Sequence, residues 1–389
     1  MSASTHDHLS ADVRARLAAV TGTDAADWHL LSKGRHALEL VLAQLEPGEV
    51  LTQPFTCLTA VAPAITAGHV PTYADIDPAT LAMDPAGVPR VATGRTRALI
   101  AQHTFGAAAP LEQLRAAVGD DVLLVEDSAH CLGEMAVDTS GRPVADVSVH
   151  SFGVEKMLPT RAGAALWVDP AAAGRPWHTR LTAALADLSG TGLRGAVSEV
   201  VSPTALRLGR RLGGPVARAV DRAARAGLVD KAIMPSELSG VVAGAPAALA
   251  GRSLAAVARE LPALAASRRH RRRIATIYRG ALAGLAEVTR PAALDVEGRS
   301  LVRYPVLLAT PEQAEATFEA LSARRLVPGR WYRPLLFPGP VDPAPFAYAP
   351  GSCPAAEDAA ARILNLQTAP FVTEEAARAA VDVVRSQVG

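Results

Sequence analysis

Lysine is scarce in this chain: of 39 basic residues only three, Lys33, Lys156 and Lys231, are lysines. Arginine can neither form a Schiff base nor shed its proton near neutrality, whereas lysine does both. Where arginine supplies almost all the positive charge, each lysine is a candidate for chemistry that arginine cannot perform. Cysteine is scarce too. Cys57, Cys131 and Cys353 are odd in number and far apart, which excludes a disulfide framework and a Cys-based zinc site. Charge is balanced, 39 basic against 38 acidic residues, so the composition argues against a dedicated nucleic-acid or acidic-membrane binder. No apolar run approaches the roughly 20 residues needed to cross a bilayer. The opening MSASTHDHLS lacks the basic and apolar regions of a secretory signal, so the expectation is a soluble cytoplasmic protein. With 49% hydrophobic residues, disorder of the whole chain is excluded.

The 389 residues suggest two to three domains at roughly 150 each. Residues 1–25 read as an N-terminal helical arm. Residues 26–240 read as a large α/β domain in which strand-length apolar runs alternate with helical patterns. The expected strands are 49–53, 70–74, 98–102, 122–126, 147–151 and 164–168, with helices over 36–45, 58–67 and 111–118. Val122 to Val125 is apolar throughout, as in a strand covered by helices on both faces. Residues 171–240 lose the strand signal and read as a helical insertion. Residues 241–389 read as a connecting helix and a smaller C-terminal α/β domain, with a strand over 304–308 and helices over 311–323, 355–364 and 374–388. The connecting helix carries the run Arg268, Arg269, His270, Arg271, Arg272, Arg273, either a nucleic-acid patch or a solvated face or subunit contact. The balanced charge favours the latter.

Three segments carry chemistry. In VLLVEDSAH (122–130) a buried strand ends in Glu126 and Asp127, and ligands of open α/β sheets sit at the carboxyl ends of strands. A helix cap or turn acid is the alternative. In VSVHSFGVEK (147–156) a strand runs through Ser151 into a turn presenting Lys156, where desolvation would lower the amine pKa and make a nucleophile. In SKGRHAL (32–38) Gly34 opens a helix whose free N–H groups suit a phosphate, with Arg35 placed to add a bidentate contact. A lysine, an acid and a helix N-terminus are what pyridoxal phosphate requires.

These pieces, with PFTCLTAVAPAITAGHVPTYADID (54–77), QHTFG (102–106), EDSAHCLG (126–133) and the segment at 304–308, resemble the DegT/StrS group of PLP-dependent sugar aminotransferases of fold type I. The resemblance implies a large, mostly parallel sheet flanked by helices, with a smaller C-terminal α/β domain. It implies pyridoxal phosphate on Lys156, which shuttles the proton, and Asp127 at the pyridinium nitrogen. His130 stands where the family usually has Gln near the phenolic oxygen. Ser151, Gly34 and Arg35 match phosphate contacts. Cys57 replaces the usual ring-covering aromatic, so either Cys57 covers the ring or Phe55 or another residue stacks. In the substrate loop, Arg330, Tyr332 and Arg333 are candidates for binding a carboxylate or nucleotide phosphate, with solvation as the alternative for the arginines. The Gly-rich stretch after the lysine is reduced, and Pro246 stands near the position of the Asn that a partner subunit usually supplies.

The activity implied is transfer of an amine from glutamate or glutamine to a keto group, first of all on a nucleotide-linked sugar in specialised-metabolite or surface-sugar biosynthesis. A homodimer is implied; no metal, nucleic acid or membrane enters. The alternatives are a PLP enzyme acting on a cyclitol or other intermediate, or catalysing another PLP reaction, and a non-catalytic regulator. An unrelated Rossmann-type enzyme is disfavoured, because no G-x-G-x-x-G follows the first strand.

Overall fold

The computed structural model describes residues 3–190 and 192–388. The large sheet is built from β1 (Trp28–Leu31), β2 (Glu49–Thr52), β3 (Val70–Tyr73), β6 (Thr96–Gln102), β7 (Leu123–Asp127), β8 (Val147–Ser151) and β9 (Ala164–Val168), with β4 (Ile76–Asp77) and β5 (Ala82–Met83) forming a separate short ladder. The strand order is β1-β9-β8-β7-β6-β2-β3. The pairs β3–β2, β2–β6, β6–β7 and β7–β8 are parallel, while β8–β9 and β9–β1 are antiparallel. The helices are α1 (Ala3–Thr21), α2 (Gly34–Leu42), α3 (Ala62–Thr66), α4 (Leu111–Val118), α5 (Pro176–Ala186), α6 (Leu193–Leu212), α7 (Gly214–Arg225), α8 (Gly251–Glu260), α9 (Leu264–Ala281), α10 (Pro311–Ala323), α11 (Pro354–Arg362) and α12 (Glu374–Val388). The C-terminal sheet is antiparallel, β10 (Val288–Thr289), β11 (Arg303–Leu308) and β12 (Ile363–Gln367), with β11 in the centre.

Apolar clusters lie on both faces of the large sheet. On one, Ala37, Leu38, Val41 and Leu42 of α2 and Leu181 and Leu185 of α5 meet Leu31, Val125, Val149 and Leu166. On the other, Leu111 and Leu114 of α4 meet Leu51, Leu99 and Leu124. A third and larger cluster joins α1, α8 and α9 to the C-terminal sheet. Beside the helical hairpin α6–α7, Ala224 of α7 forms a small separate cluster with Val229 and Met234 of the segment that follows.

Two expected helices depart from the sequence reading. The helical period of AAAR runs into Ile363 and Leu364 with no Gly or Pro between, so the pattern extends a helix to 364. The chain instead leaves α11 at Arg362 and enters β12, whose carbonyls and amides the β11 ladder satisfies. The expected helix over 58–67 is a 3-10 turn at Leu58–Ala60 followed by the short α3, with Pro63 early in it.

Two buried histidines make the fold acid-sensitive. His36 is 4% exposed, His150 is fully buried, and burial holds both down to about 4 against an ordinary 6.5. Above pH 6.5 neither state binds the proton. Between 6.5 and about 4 only the unfolded chain does, so stability falls with pH by about 1.4 kcal/mol per unit per histidine. A urea midpoint that stays constant between roughly pH 7 and pH 5 would contradict this.

Candidate active site

The sheet register brings the first two residues together. Asp127, the last residue of β7, pairs with Gln102 of β6 on one side and Val149 of β8 on the other, at the carboxyl ends of three parallel strands. Ser151 ends β8 two residues further on. Because side chains alternate along a strand, Glu126 and Asp127 face opposite ways and have different environments.

Glu126 is fully buried and its oxygens are taken: His103 Nε2–H donates at 2.7 Å, Ala136 N–H at 2.6 Å, and Ser148 Oγ–H also donates. Burial works to raise its pKa, but His103 beside it and these donors overrule that and hold the carboxyl low. Ser148 Oγ also lies 3.0 Å from His150 Nε2, while His150 Nδ1 accepts from Gly133 N–H at 3.1 Å. Glu126 is therefore a structural anchor. Among the described residues Asp127 accepts only from Ala129 N–H, at 3.0 Å. Burial pushes its carboxyl up, and the Lys156 ammonium pulls it part of the way back.

Lys156 lies in the turn after β8, and helix α9 fixes that turn. Ser267 Oγ–H donates to the Met157 carbonyl at 2.7 Å, and Arg271 Nη2 donates to the Lys156 carbonyl at 2.8 Å. Arg271 is 2% exposed and also donates to Val302 O at 2.9 Å and Thr368 Oγ1 at 3.1 Å. Burial lowers its guanidinium to about 10, still fully charged at neutral pH. One member of the arginine run is thus neither a nucleic-acid contact nor solvated: it clamps the lysine turn. Gly163, at φ +111, lets its carbonyl accept from Phe152 N–H, and a Cβ there would meet Leu249 at 3.0 Å.

The three lysines separate cleanly. Lys33 pairs with Asp230 at 2.6 Å and Lys231 with Asp221 at 2.8 Å. Among the described residues the Lys156 amine has no hydrogen bond or ion pair, and the Trp331 ring lies 5.5 Å from Nζ to centroid. Burial lowers its pKa, opposed chiefly by Asp127 and then Cys57. A buried amine with a lowered pKa is a nucleophile and a proton carrier near neutrality.

The amino end of α2 lies against the same strand: a Cβ on Gly34 would meet Val149 at 3.7 Å. No side chain caps this helix. A missing N-cap costs about 1 kcal/mol. Burying Leu38, Val41 and Leu42 contributes roughly 1.5–3 kcal/mol each, so packing holds α2 and leaves its first N–H groups open to an anion.

Arg35 departs from the expectation of a phosphate contact. Its guanidinium is committed to the fully buried Glu237, contacting both carboxylate oxygens, and to the Ala232 carbonyl. Stripping a buried carboxylate of its partner costs roughly 3–5 kcal/mol. Arg330 and Arg333 also depart from the expectation of substrate contacts: both bond Glu315 of α10, Arg333 at 2.7 Å, and Arg330 lies 3.8 Å over the Phe318 ring. Tyr332 is buried, stands edge-on to Phe55 at 5.4 Å, and its hydroxyl lies 3.4 Å from His130 Nε2. His130 accepts at Nδ1 from Phe105 N–H at 3.1 Å, and its ring stacks on Trp331 at 5.3 Å. Burial and then Lys156 hold it well below the usual histidine range, hence neutral. Cys57 is half-buried, its sulfur accepting from Thr59 Oγ1–H at 3.1 Å.

The sequence reading missed Arg271, Arg303, Glu155 and Trp331 as site-forming residues. Arg303 was hidden as the edge of an apolar strand segment, and Arg271 as one of a run of like residues.

The profile of the DegT/DnrJ/EryC1/StrS aminotransferase family matches residues 15–175 and 219–385. The chain is 31% identical over 166 residues to an L-glutamine:2-deoxy-scyllo-inosose aminotransferase of Streptomyces kanamyceticus, covering 40% of this chain and 39% of that protein. It is 29% identical over 140 residues to a 3-amino-5-hydroxybenzoate synthase of Amycolatopsis mediterranei, covering 35% and 36%. The matched stretch thus spans about two fifths of these curated relatives. The crystal structure of DesI with its TDP-sugar product superposes with a TM-score of 0.71 at 23% identity, over 97% of this chain and 84% of that one, a likeness of fold. The matches at both ends of the chain, over a fold with a lysine and an acid at adjacent strand ends, lead to one statement: this chain belongs to the DegT/DnrJ/EryC1/StrS aminotransferase family.

Proposed function

We propose that the protein is a pyridoxal-phosphate-dependent aminotransferase that moves an amine from an amino acid, glutamate or glutamine, to the keto group of a sugar or cyclitol. The observation that carries this is the half-buried amine of Lys156, which among the described residues has no hydrogen bond or ion pair, close enough to the half-buried carboxylate of Asp127 that each shifts the other's pKa. The residues present fit the cofactor. An amine with no internal partner is available for the aldehyde, Asp127 keeps acceptor capacity for a ring N–H, and the uncapped α2 N-terminus and Ser151 Oγ offer donors to a phosphate. When bound, pyridoxal phosphate supplies an aldehyde for amine exchange and a ring that withdraws electrons from the substrate carbon.

The chain's own residues do the rest. Lys156 Nζ, with its pKa lowered by burial, takes the proton from the substrate carbon and returns it. Asp127 holds a proton on the ring nitrogen through its charge. His130, neutral and stacked on Trp331, keeps that side apolar and excludes water. Arg271 and Ser267 keep the lysine turn in place, so the amine moves only by side-chain rotation.

The first reading of the acceptor is a nucleotide-linked sugar. A second, a cyclitol or other ring without a diphosphate, is favoured by one observation: Arg330 and Arg333, the cations that would hold phosphates, both already pair with Glu315. It accords with the inosose aminotransferase among the relatives. Borohydride reduction of the purified protein followed by peptide mapping tests the reading. Pyridoxyl on Lys156 is expected; pyridoxyl on Lys33 or Lys231, or on no residue, would overturn it.

A further inference from the structure

With Arg35, Arg330 and Arg333 paired to acids and Arg271 spent on the Lys156 and Val302 carbonyls and the Thr368 hydroxyl, Arg303 is a further buried cation beside the site. Arg303 opens β11 and is 4% exposed. Its guanidinium lies over the Trp331 ring, 4.7 Å from Cζ to centroid, so one indole bridges it to Lys156 Nζ at 5.5 Å. Gln367, with its amide oxygen turned inward, accepts from Nη1 at 3.3 Å and Nη2 at 2.9 Å. Nε is buried and has no acceptor among the described residues.

The only acid on Arg303 among the described residues is Glu155, at 3.1 Å from Nη2. The two partners are unequal, because the Arg303 side chain is 4% exposed and that of Glu155 46%. A half-exposed carboxylate loses little by turning into water, whereas a buried guanidinium left without an anion is strongly disfavoured. Glu155 also sits at φ +63, in the left-handed region unusual for a residue with a Cβ, directly before Lys156. Any motion that frees its side chain therefore starts next to the reactive amine.

We propose that Arg303 binds the carboxylate of the amino donor and that Glu155 is a resident counter-ion which this carboxylate displaces. The proposal rests on the aminotransferase reading above. An amino acid reacting at Lys156 carries its α-carboxylate two bonds from the reacting nitrogen, and a planar guanidinium matches a carboxylate bidentately. A sugar or cyclitol acceptor has no carboxylate. Glu155 returning to Arg303 keeps the cation paired in that half of the reaction, so one site serves a substrate with a carboxylate and one without in turn.

Glutarate, a dicarboxylate without an amine, is the probe, titrated calorimetrically into the cofactor-loaded protein. Arg303→Met is expected to weaken glutarate about 10- to 100-fold, the loss of a charge-assisted hydrogen-bonded pair. Glu155→Gln is expected to tighten it several-fold by removing the competitor. In kinetics, Arg303→Met raises KM for glutamate in the donor half-reaction by a larger factor than KM for 2-aminopropane, which lacks a carboxylate. Unchanged glutarate affinity in Arg303→Met, or unchanged or weaker affinity in Glu155→Gln, overturns the proposal. Should Arg303→Met not fold, the half-exposed Glu155 variant decides alone. Glutarate forms no bond to Lys156, so failure of borohydride trapping would sink the aminotransferase reading while the titration still gives its own answer.

Discussion

Replacing Lys156 with alanine is expected to remove at least about 10²–10⁴-fold of transamination, the range that a positioned proton carrier supplies, and to end borohydride fixation of the cofactor. The fold should survive. Among the described residues the Lys156 side chain makes no hydrogen bond or ion pair, and the contacts that position its turn run to backbone carbonyls, Lys156 O from Arg271 and Met157 O from Ser267. Alanine keeps both. A thermal midpoint within a few degrees of the parent, together with lost activity, separates chemistry from structure. A Lys156→Ala protein that transaminates at the parental rate would refute the mechanism.

The second large effect is expected from Asp127→Asn, which keeps the size and the Ala129 contact but removes the charge. The electrostatic support of the ring nitrogen is lost, and a fall of roughly 10²–10³ in rate is expected by analogy with loss of one preorganised electrostatic partner. Cofactor should still be fixed on Lys156 by borohydride, because the amine is untouched. The sign of a pH effect follows as well. Asp127 is the largest influence raising the Lys156 pKa against burial. Removing that anion lets the ammonium lose its proton at lower pH. In cofactor-free protein, acetylation of Lys156 by acetic anhydride, read by peptide mass spectrometry across pH, should therefore shift its midpoint downward in Asp127→Asn. An unchanged midpoint would mean that the two groups are not electrostatically coupled.

Both variants act on residues whose placement is legible in local pattern. An unbroken apolar strand ending in two acids, and a second strand ending in Ser151 five residues before a lysine, put the chemistry at strand ends without reference to the rest of the chain. Parallel strands need helical crossovers, and these bring the carboxyl ends together on one edge. The choice between Glu126 and Asp127 was not legible. It depends on which face of β7 meets His103 and Ser148 and which meets Lys156.

The arginines show where local pattern stops. Arg35 beside Gly34, and Arg330 and Arg333 in a loop, read as anion contacts because guanidinium groups there suit phosphate and carboxylate. Glu237, 202 positions from Arg35, and Glu315 on α10 satisfy them instead. Arg271 disappears within a run of like residues yet is the buried clamp on the lysine turn, through partners 115 and 31 positions away. By itself the sequence determined the alternation of strands and helices, the strand ends that carry Asp127, Ser151 and Lys156, and the open helix start at Gly34. All of these follow from periodicity and from residue chemistry within about ten positions. Only the tertiary structure decided which charges are spent and which remain free, because a charge's value depends on its burial and on partners brought from distant parts of the chain.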